Sequence, residues 1–576
     1  MHDSFATMSS STTESKTFKV ADLVKLYQNG QIKKPRIQRK LRWTDKDNLM
    51  NRKYVEFAYK LRNTINPFLF NEKIMDGKKI YIVIDGNNRI NAILMFVQQP
   101  LVIFPELIPG EYPDAIRNAL IGSSLEYILK CRNFRTFCND HGLLEWLVTE
   151  SHNPHLDDPF EKLQDALHSR QFFDVTLPHT VFQNMTDEEI HNIYQSVNES
   201  GKKLTRQEIL ACTTDGITFH YDEIPHYNEI KKQVETYYNE MIASEKLSLE
   251  HDSLDSLNLF EVLLGFQSVL HEMYEFVPKP GDSTQLDIVF KLYEMLVGGF
   301  NGKSPVFAGF IHDLMRSCHK IASVYNSILN SNINYRIVKK NSVINMSENS
   351  LFILLVWLSK QGTGLDEKLL KRCLLYNDLI SLVGEKEKRA EFHTNNPLHF
   401  SAGGSYVINV AKHILSSGHF SQVPTDDHVR ALLLCLCNEH VTDDVEKPKK
   451  RTPMSRFQTI VLAMYYNAKV PLDLLAARKH LDHIVPYSID TRGLPIDLER
   501  LGNKMLIDEA TNLARGTKAI TKAFIDSHAL HYHNYPTEED YQAITTDGKT
   551  LTSLEMYNTV CERRERAYID LIVGSL

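Results

Sequence analysis

The stretch His480–Lys518 reads HLDHIVPYSIDTRGLPIDLERLGNKMLIDEATNLARGTK and holds the polar residues around which we organise the chain. Asp482 lies next to His483, Asn503 follows twenty residues after His483, and Asn512 comes nine residues later. A carboxylate can bind a hard divalent cation, an adjacent imidazole can take a proton from water, and amides can hold the loop around them. In a straight strand Asp482 and His483 point to opposite faces, and a turn at Pro486 would aim them differently.

This order of residues resembles the HNH nuclease family, whose ββα-metal fold carries Asp/His/Glu-His-Ile-x-Pro on its first strand. LGNKML, which begins at Leu501, is then the expected second strand. The resemblance implies that His483 is the general base, that Asp482 and Asn512 bind Mg²⁺ or Mn²⁺, and that Asn503 braces the loop and His483. The roles of the two asparagines could be exchanged. The alternative interpretation is a strand end with turn and cap residues, but the complete set in this order favours a nuclease.

The composition is that of an ordinary globular protein in a reducing compartment. The 576 residues exceed what one core accommodates, so about three domains are expected, and the net charge is −7. None of the eight cysteines forms a CxxC pair, and residues 1–16 lack the apolar core of a signal peptide. The most apolar run, Leu351 to Leu358, is too short to span a bilayer. We therefore expect an intracellular, cytoplasmic protein without a membrane partner.

A second group of polar residues follows an apolar run near the N-terminus. Ile80 to Ile84 predicts a strand that ends in Asp85-Gly86-Asn87-Asn88-Arg89, and a helical pattern comes next. A strand that enters a helix through a glycine turn presents free N–H groups to an anion, and Arg89 could donate to phosphate oxygens. Asp85 could bind Mg²⁺ or cap the helix. Taken alone, the pattern favours a turn and a cap.

This motif agrees with two others. Gln38 and Arg39 precede a tryptophan, and Ile193 to Leu210 combines a helix, a glycine turn and a new helix. The three segments together resemble the ParB/sulfiredoxin-like N-terminal domain of GmrSD-type, type IV restriction endonucleases, which carries Gln-Arg…Trp and Asp-Gly-Gln-Gln-Arg. The resemblance implies a nucleoside triphosphate site formed by Gln38, Arg39, Asp85, Gly86 and Arg89.

The chain departs from that family at the two residues after Gly86. Asn87 and Asn88 stand where the family has glutamines, and asparagine is one methylene shorter. The shorter side chains affect the expectation of triphosphate hydrolysis more than that of triphosphate binding. The sequence therefore does not decide whether this domain is an NTPase. A scaffold role for this segment is the alternative.

The rest of the chain gives weaker signals. Residues 111–180 and 215–445 show mostly helical spacing. The charge changes sign before a basic run, Lys449, Lys450 and Arg451, which suits a solvated linker or a DNA-binding arm extended by Arg456, Arg478 and Lys479. A last helix is expected at Thr552 to Ile572, with Arg563, Arg564 and Arg566 on a solvated face.

Together these observations predict a multidomain α+β protein. The expected parts are a disordered tail (1–16), a ParB-like α/β nucleotide-binding domain with a helical extension (17–214), a helical middle (215–445), a basic linker (446–456) and an HNH domain (457–576). The implied function is cleavage of DNA, including foreign or modified phage DNA, in a defence role, with the oligomeric state left open. The alternatives are a non-catalytic nucleotide-responsive regulator that binds DNA or a partner, and, ranked lower, an RNA-directed HNH enzyme.

Overall fold

The computed structural model divides the chain into two compact units. The first consists of Met1–Phe266, Gly281–Asp287 and Phe300–Ser304, and the second of Gln267–Pro280, Ile288–Gly299 and Pro305–Leu576. The structure describes residues 12–35, 49–61, 66–75, 77–143, 157–183, 185, 189, 193, 210–211, 214, 217–245, 247, 254, 256–281, 287–300, 306–329, 346–362, 364–400, 404–439, 454–470, 479–516, 521–528, 530, 534–546 and 548–576.

A mixed five-stranded sheet forms the centre of the first unit. Its strands lie in the order β1-β5-β3-β4-β2. The pairs β1/β5 and β3/β4 are antiparallel, and β3/β5 and β2/β4 are parallel. The strands are β1 (Thr12–Lys19), β2 (Ile32–Lys33), β3 (Phe68–Met75), β4 (Lys78–Asp85) and β5 (Thr176–Gln183). Ile80, Ile82, Val83 and Ile84 are all buried, so the apolar run of β4 reflects burial on both faces of the sheet.

The other elements of this unit are mostly helical. The buried side chains of the helices around the sheet form one core with those of β3 and β4, which fixes the strand-to-helix turn after β4. The helices are α1 (Val20–Gln28), α2 (Leu49–Leu61), α3 (Asn87–Gln98), α4 (Pro100–Ile103), α5 (Asp114–Gly122), α6 (Leu125–Lys130), α7 (Phe134–Asp140), α8 (Asp157–Arg170), α9 (Tyr227–Glu245) and α10 (Leu259–Met273), which begins in this unit; β6 (Thr218–Phe219) pairs with β7 (Leu257–Asn258).

The structure differs from the sequence-based expectation at two strands of this sheet. Residues 12–16, which we expected in a disordered tail, lie in β1, because β1 pairs with β5 along its whole length from Thr12 to Lys19. The segment 111–180 was expected to be mostly helical, yet β5 begins at Thr176 and lies between β1 and β3. The motif that we noted between Ile193 and Leu210 falls almost entirely outside the described residues.

Helices dominate the first part of the second unit. α13 is buried from residue 350 to residue 358 and packs against α11, α12 and α16, which explains why the sequence there is apolar on every side. The helices are α11 (Ile288–Val297), α12 (Phe307–Leu329), α13 (Glu348–Gln361), α14 (Glu367–Ile380), α15 (Lys386–His393), α16 (Gly404–Ser417), α17 (Asp426–Glu439) and α18 (Arg456–Lys469).

A small antiparallel strand pair and further helices complete this unit. They are β8 (Lys479–His483), β9 (Lys504–Asp508), α19 (Glu509–Arg515), α20 (Lys522–Ser527), α21 (Glu538–Ile544), β10 (Thr545–Thr546), β11 (Thr550–Leu551) and α22 (Leu554–Gly574). The last helix, α22, packs on α17, α18 and α21. Helices from both sides of the expected boundary at 446–456 therefore share contacts, and the middle segment 215–445 is divided between the two units rather than forming a third.

Within the described part of the chain, we find no helix with both the length and the apolar content that a membrane crossing requires.

Candidate active site

The candidate site is built on β8, β9 and α19. The register of the two strands places Asp482 opposite Met505 and His483 opposite Lys504. α19 follows β9 directly and packs on both strands. Asp508 caps this helix, since its carboxylate accepts a hydrogen bond from the backbone N–H of Thr511 (2.8 Å). The chain thus forms two antiparallel strands, joined by residues 484–503, and a helix that begins directly after the second strand.

Asp482 faces the helix. Its Oδ2 accepts a hydrogen bond from Nη1 of Arg515, and its Oδ1 accepts one from the backbone N–H of His483 (2.9 Å). Arg515 also donates to the carbonyl oxygens of His483 (2.7 Å) and Ile484 (2.5 Å) and is only 2% exposed. This arginine therefore neutralises Asp482 and at the same time fixes the end of β8.

His483 faces a different set of side chains, as expected for neighbouring residues of a strand. Its Nε2 lies 3.9 Å from Oε1 of Glu499, and its ring meets that of Tyr487 edge to face, with the centroids 5.2 Å apart. Tyr487 donates its hydroxyl to Glu499, and Nζ of Lys504 lies 2.5 Å from the other carboxylate oxygen. His483 is 2% exposed, so the imidazole belongs to a buried polar cluster.

Asn503 holds the loop that follows His483. Its Oδ1 accepts a hydrogen bond from the backbone N–H of Val485 (2.8 Å), and its Nδ2 donates to the carbonyl oxygens of Val485 (3.2 Å) and Leu498 (2.8 Å). The backbone carbonyl of Asn503 accepts from the N–H of Ile484 (2.9 Å). With 0% exposure and these bonds, Asn503 ties the loop before β9 to the loop after β8.

The last helix, α22, fixes the turn that carries Asn503. Glu565 accepts hydrogen bonds from Nε and Nη2 of Arg500 (3.0 and 2.9 Å) and from the backbone N–H of Gly502 (2.9 Å). Arg564 donates to the carbonyl oxygen of Gly502. A Cβ at position 502 would lie 2.5 Å from Cα of Cys561, so only glycine allows this approach. The prediction that Arg564 lies on a solvated face of this helix is wrong, because Arg564 is 1% exposed.

The oxygen donors of the site suit a hard divalent cation. Asp482 and the amide of Asn512 offer oxygen ligands, as Mg²⁺ and Mn²⁺ prefer, and Asn512 lies half-buried on the helix that also carries Arg515. A carboxylate has about four lone-pair sites, and two hydrogen bonds leave Asp482 with room for a cation. Among the described residues, no group of three or more His, Cys, Asp and Glu side chains is arranged to hold a metal. Asp482 and Asn512 each offer an oxygen atom of the type that such an ion prefers, one from a carboxylate and one from an amide.

The N-terminal candidate site lies where β4 enters α3. Gly86 has φ 107°, and a side chain there would collide with the ring of Phe68. Arg89 donates to the carbonyl oxygens of Asn66 (2.6 Å) and Pro67 (3.2 Å) and to the carboxylate of Asp85 (2.7 Å). The guanidinium expected to bind phosphate thus ties the start of β3 to α3. Gln38 and Arg39 lie outside the described residues.

Two asparagines of α3 supply a feature that suits a ligand. Asn87 and Asn91 are each 6% exposed, and their side-chain oxygens accept no hydrogen bond from the described residues. A buried acceptor without a donor costs about 1–3 kcal/mol, so a donor from a ligand or from water would be favourable at this position. A bound group with N–H or O–H donors would satisfy these two oxygens.

The predicted DNA-binding arm is only partly covered by the structure. Lys449, Lys450, Arg451 and Arg478 lie outside the described residues. The proposed extension of the arm is wrong at its other two positions. Arg456 donates to the carboxylate of Asp378 (2.8 Å) and to the hydroxyl of Tyr325 (2.7 Å), and Lys479 is 5% exposed. The guanidinium of Arg456 is thus engaged by internal partners, and Lys479 is buried away from an external phosphate.

Sequence reasoning did not identify Glu499 and Arg515. Glu499 lies sixteen residues after His483 in an irregular segment, and no periodic pattern links the two. Arg515 could have been found, since it lies one helical turn after Asn512 on the helix that had been expected to face Asp482.

The N-terminal part of the chain matches a known family. Residues 20–214 match the family model described as the GmrSD restriction endonuclease, N-terminal domain. A comparison of the chain with curated proteins found no match. The matched segment contains strands β2 to β5 of the sheet of the first unit and the turn from β4 to α3 with Asp85, Gly86 and Arg89, whereas β1 precedes it. Residues 20–214 are therefore similar to the N-terminal domain of GmrSD restriction endonucleases.

Proposed function

We propose that the chain is a metal-dependent DNA endonuclease of the HNH type, with its cleavage site on β8, β9 and α19. The observation that carries the proposal is the arrangement at the end of β8. Asp482 and His483 are consecutive, α19 packs on both strands, and buried Asn503 ties the following loop to β9. The match of residues 20–214 to the N-terminal domain of restriction endonucleases supports DNA as the substrate and a defence role.

Each residue then has one role. His483 takes the proton of the attacking water. Asp482 and Asn512 hold Mg²⁺ or Mn²⁺, which stabilises the negative charge that develops on the phosphate. Asn503 fixes the loop that orients His483, and its hydrogen bonds favour this assignment over the exchanged roles of the two asparagines. The basic residues at 449–451 neutralise neighbouring phosphates.

The first unit would provide control by a nucleoside triphosphate. Gly86 at the start of α3 and the buried oxygens of Asn87 and Asn91 support a nucleotide site there. A nucleotide favours one state only through its different affinity for two states, so bound triphosphate would shift the chain towards the state that cleaves DNA. Foreign or base-modified DNA is the proposed substrate.

Cleavage of supercoiled plasmid and of modified and unmodified phage DNA by the full chain tests the nuclease. We expect no cleavage in EDTA and recovery with Mg²⁺ or Mn²⁺. Asp482→Asn should weaken Mn²⁺ binding, measured by calorimetry, together with cleavage. Glu555→Gln, on the exposed face of α22, is the matched control. Recovery with Zn²⁺ alone would contradict the oxygen ligands.

Calorimetric titration with ATP and GTP tests the nucleotide site. Arg89→Ala should weaken binding, and Arg89→Lys separates loss of the charge from loss of the tether to Asn66 and Pro67. Asp85→Ala should act like Arg89→Ala if Asp85 holds Mg²⁺, and should otherwise only lower stability by about 1 kcal/mol. A wild-type chain that binds no triphosphate and cleaves equally well without one would refute control by nucleotide.

A non-catalytic regulator that binds DNA or a partner is the second candidate, and two observations favour it. The imidazole of His483 is 2% exposed, and Arg515 already neutralises Asp482. Such a protein would bind DNA without cleaving it under any metal condition. The cleavage assay above, run beside DNA binding, distinguishes the two functions.

A further inference from the structure

Glu499 is the residue of the buried cluster that no role above explains. It lies in the segment between β8 and β9, and its carboxylate is 16% exposed. Its Oε1 is 3.9 Å from Nε2 of His483, which is about 1 Å longer than a hydrogen bond. Contacts of a catalytic base are often this long in the absence of substrate and shorten when the reacting complex forms.

The surroundings hold this carboxylate in place. Tyr487 donates its hydroxyl to Oε1, and Nζ of Lys504 lies 2.5 Å from Oε2. Lys504 is 1% exposed and lies opposite His483 in the strand register. The charge of Glu499 is thus balanced by a buried lysine on the same side of the strand pair as the imidazole.

The backbone of Glu499 is fixed as well. Its N–H donates to Oδ1 of Asp497 (2.9 Å), and its carbonyl oxygen accepts from Nε2 of Gln458 (2.9 Å). Gln458 also accepts from Nζ of Lys504 (2.9 Å) and closes the capping box at the start of α18. A carboxylate with so many restraints has little freedom to move away from the imidazole.

We propose that Glu499 is the positioning residue of His483: its carboxylate accepts a hydrogen bond from Nε2–H and thereby leaves Nδ1 as the nitrogen that takes the proton of water. A neutral imidazole has one donor and one acceptor nitrogen, and the partner of one determines the role of the other. Tyr487 assists by packing its ring against His483 while its hydroxyl holds Glu499. This inference rests on the proposed nuclease function, in which His483 is the base.

Substitution of Glu499 in the full chain tests the inference with two readouts. Glu499→Gln keeps the size of the side chain but replaces the carboxylate with an amide that can present a donor to Nε2. We expect kcat for DNA cleavage in Mn²⁺ to fall by about 10- to 10³-fold while KM stays within about twofold. Glu499→Asp, which keeps the charge, should recover part of kcat, and the exposed Glu555→Gln should match the wild type.

The second readout does not require cleavage. Ring-carbon chemical shifts of ¹³C-labelled histidine report the tautomer, and His483 is assigned by the signal lost in His483→Ala. We expect the Nε2–H tautomer in the wild type and a loss of this preference in Glu499→Gln. If Glu499→Gln does not fold, Tyr487→Phe removes only the hydroxyl that holds Glu499 and should shift the tautomer in the same direction.

The outcomes separate this inference from the proposed function. A wild type that cleaves no DNA under any metal condition but shows the Nε2–H tautomer refutes the nuclease and retains the contact between Glu499 and His483. Wild-type kcat together with an unchanged tautomer in Glu499→Gln refutes the positioning role. A loss of kcat with an unchanged tautomer refutes it as well.

Discussion

Two glutamates on α22 approach the same arginine and differ in burial, so they offer a controlled test of what fixes the turn at 501–503. Glu565 is 4% exposed and accepts hydrogen bonds from Nε and Nη2 of Arg500 and from the backbone N–H of Gly502. Glu562 has a half-exposed side chain and lies 3.6 Å from Nη2 of Arg500. Glu565→Ala would leave the buried guanidinium of Arg500 without its carboxylate.

The structure gives the expected size of each effect. Removal of one partner of a buried pair costs about 3–5 kcal/mol, because the remaining charge stays in a poorly solvating environment. An exposed pair contributes below about 1 kcal/mol. The free energy of unfolding of a domain is only about 5–15 kcal/mol. Glu565→Ala should therefore lower the free energy of unfolding of the second unit by a large fraction, and Glu562→Ala should lower it very little.

Urea unfolding of both variants and the wild type measures the difference, and hydrogen exchange at residues 500–505 locates it. We expect loss of protection in this segment in Glu565→Ala before the helices of the unit unfold. Equal unfolding free energies for Glu565→Ala and Glu562→Ala would refute the reasoning that burial makes this contact important.

Two further predictions concern other parts of the chain. Gly86→Ala should destabilise the first unit by at least about 2 kcal/mol, because φ 107° strains a side chain that also meets Phe68; Gly110→Ala, with open space around it, is the control, and equal hydrogen exchange of α3 in both variants would contradict this. Burial, followed by the charge of the stacked His399, lowers the pKa of His393 to about 4, below the value near 6.5 of an unfolded histidine. The unfolded chain alone takes up the proton between these values, so stability should be complete above pH 6.5 and decrease by on the order of 1 kcal/mol as the pH falls to 4. Denaturation at several pH values should show a smaller decrease in His393→Gln, and an identical decrease would exclude His393 as its source.

Local patterns predicted several elements of the fold well. The continuous apolar run at Ile80 to Ile84 forms β4, and the helix expected after Gly86 is α3. β5 was not predicted, since residues 111–180 were expected to be mostly helical, and Pro178 gives no strand signal because proline cannot donate to a strand ladder and normally marks an edge. In the structure β5 lies between two strands, and the buried ring of His179 packs against Phe18. Tertiary packing outweighs the local signal at this position.

In the candidate site, too, the sequence predicted the order of the local elements but not the contacts between distant residues. The resemblance to HNH nucleases implied two strands followed by a helix, and β8, β9 and α19 follow one another in this order. Local sequence patterns do not predict contacts between residues that are far apart in the chain. Arg564 was expected on a solvated face, yet it is buried against Gly502 and Lys504, sixty or more residues earlier in the chain. A charged residue in a helix pattern gives no sign of a buried partner elsewhere.

Single-turnover cleavage of DNA by His483→Ala, measured beside DNA affinity and the melting temperature, tests whether His483 is the general base. We expect the cleavage rate to fall by about 10²–10⁴-fold in saturating Mn²⁺, because a general base lowers the barrier without contributing to binding. DNA affinity and melting temperature should stay close to those of the wild type. Cleavage by His483→Ala at the wild-type rate would contradict the account and remove His483 from the mechanism.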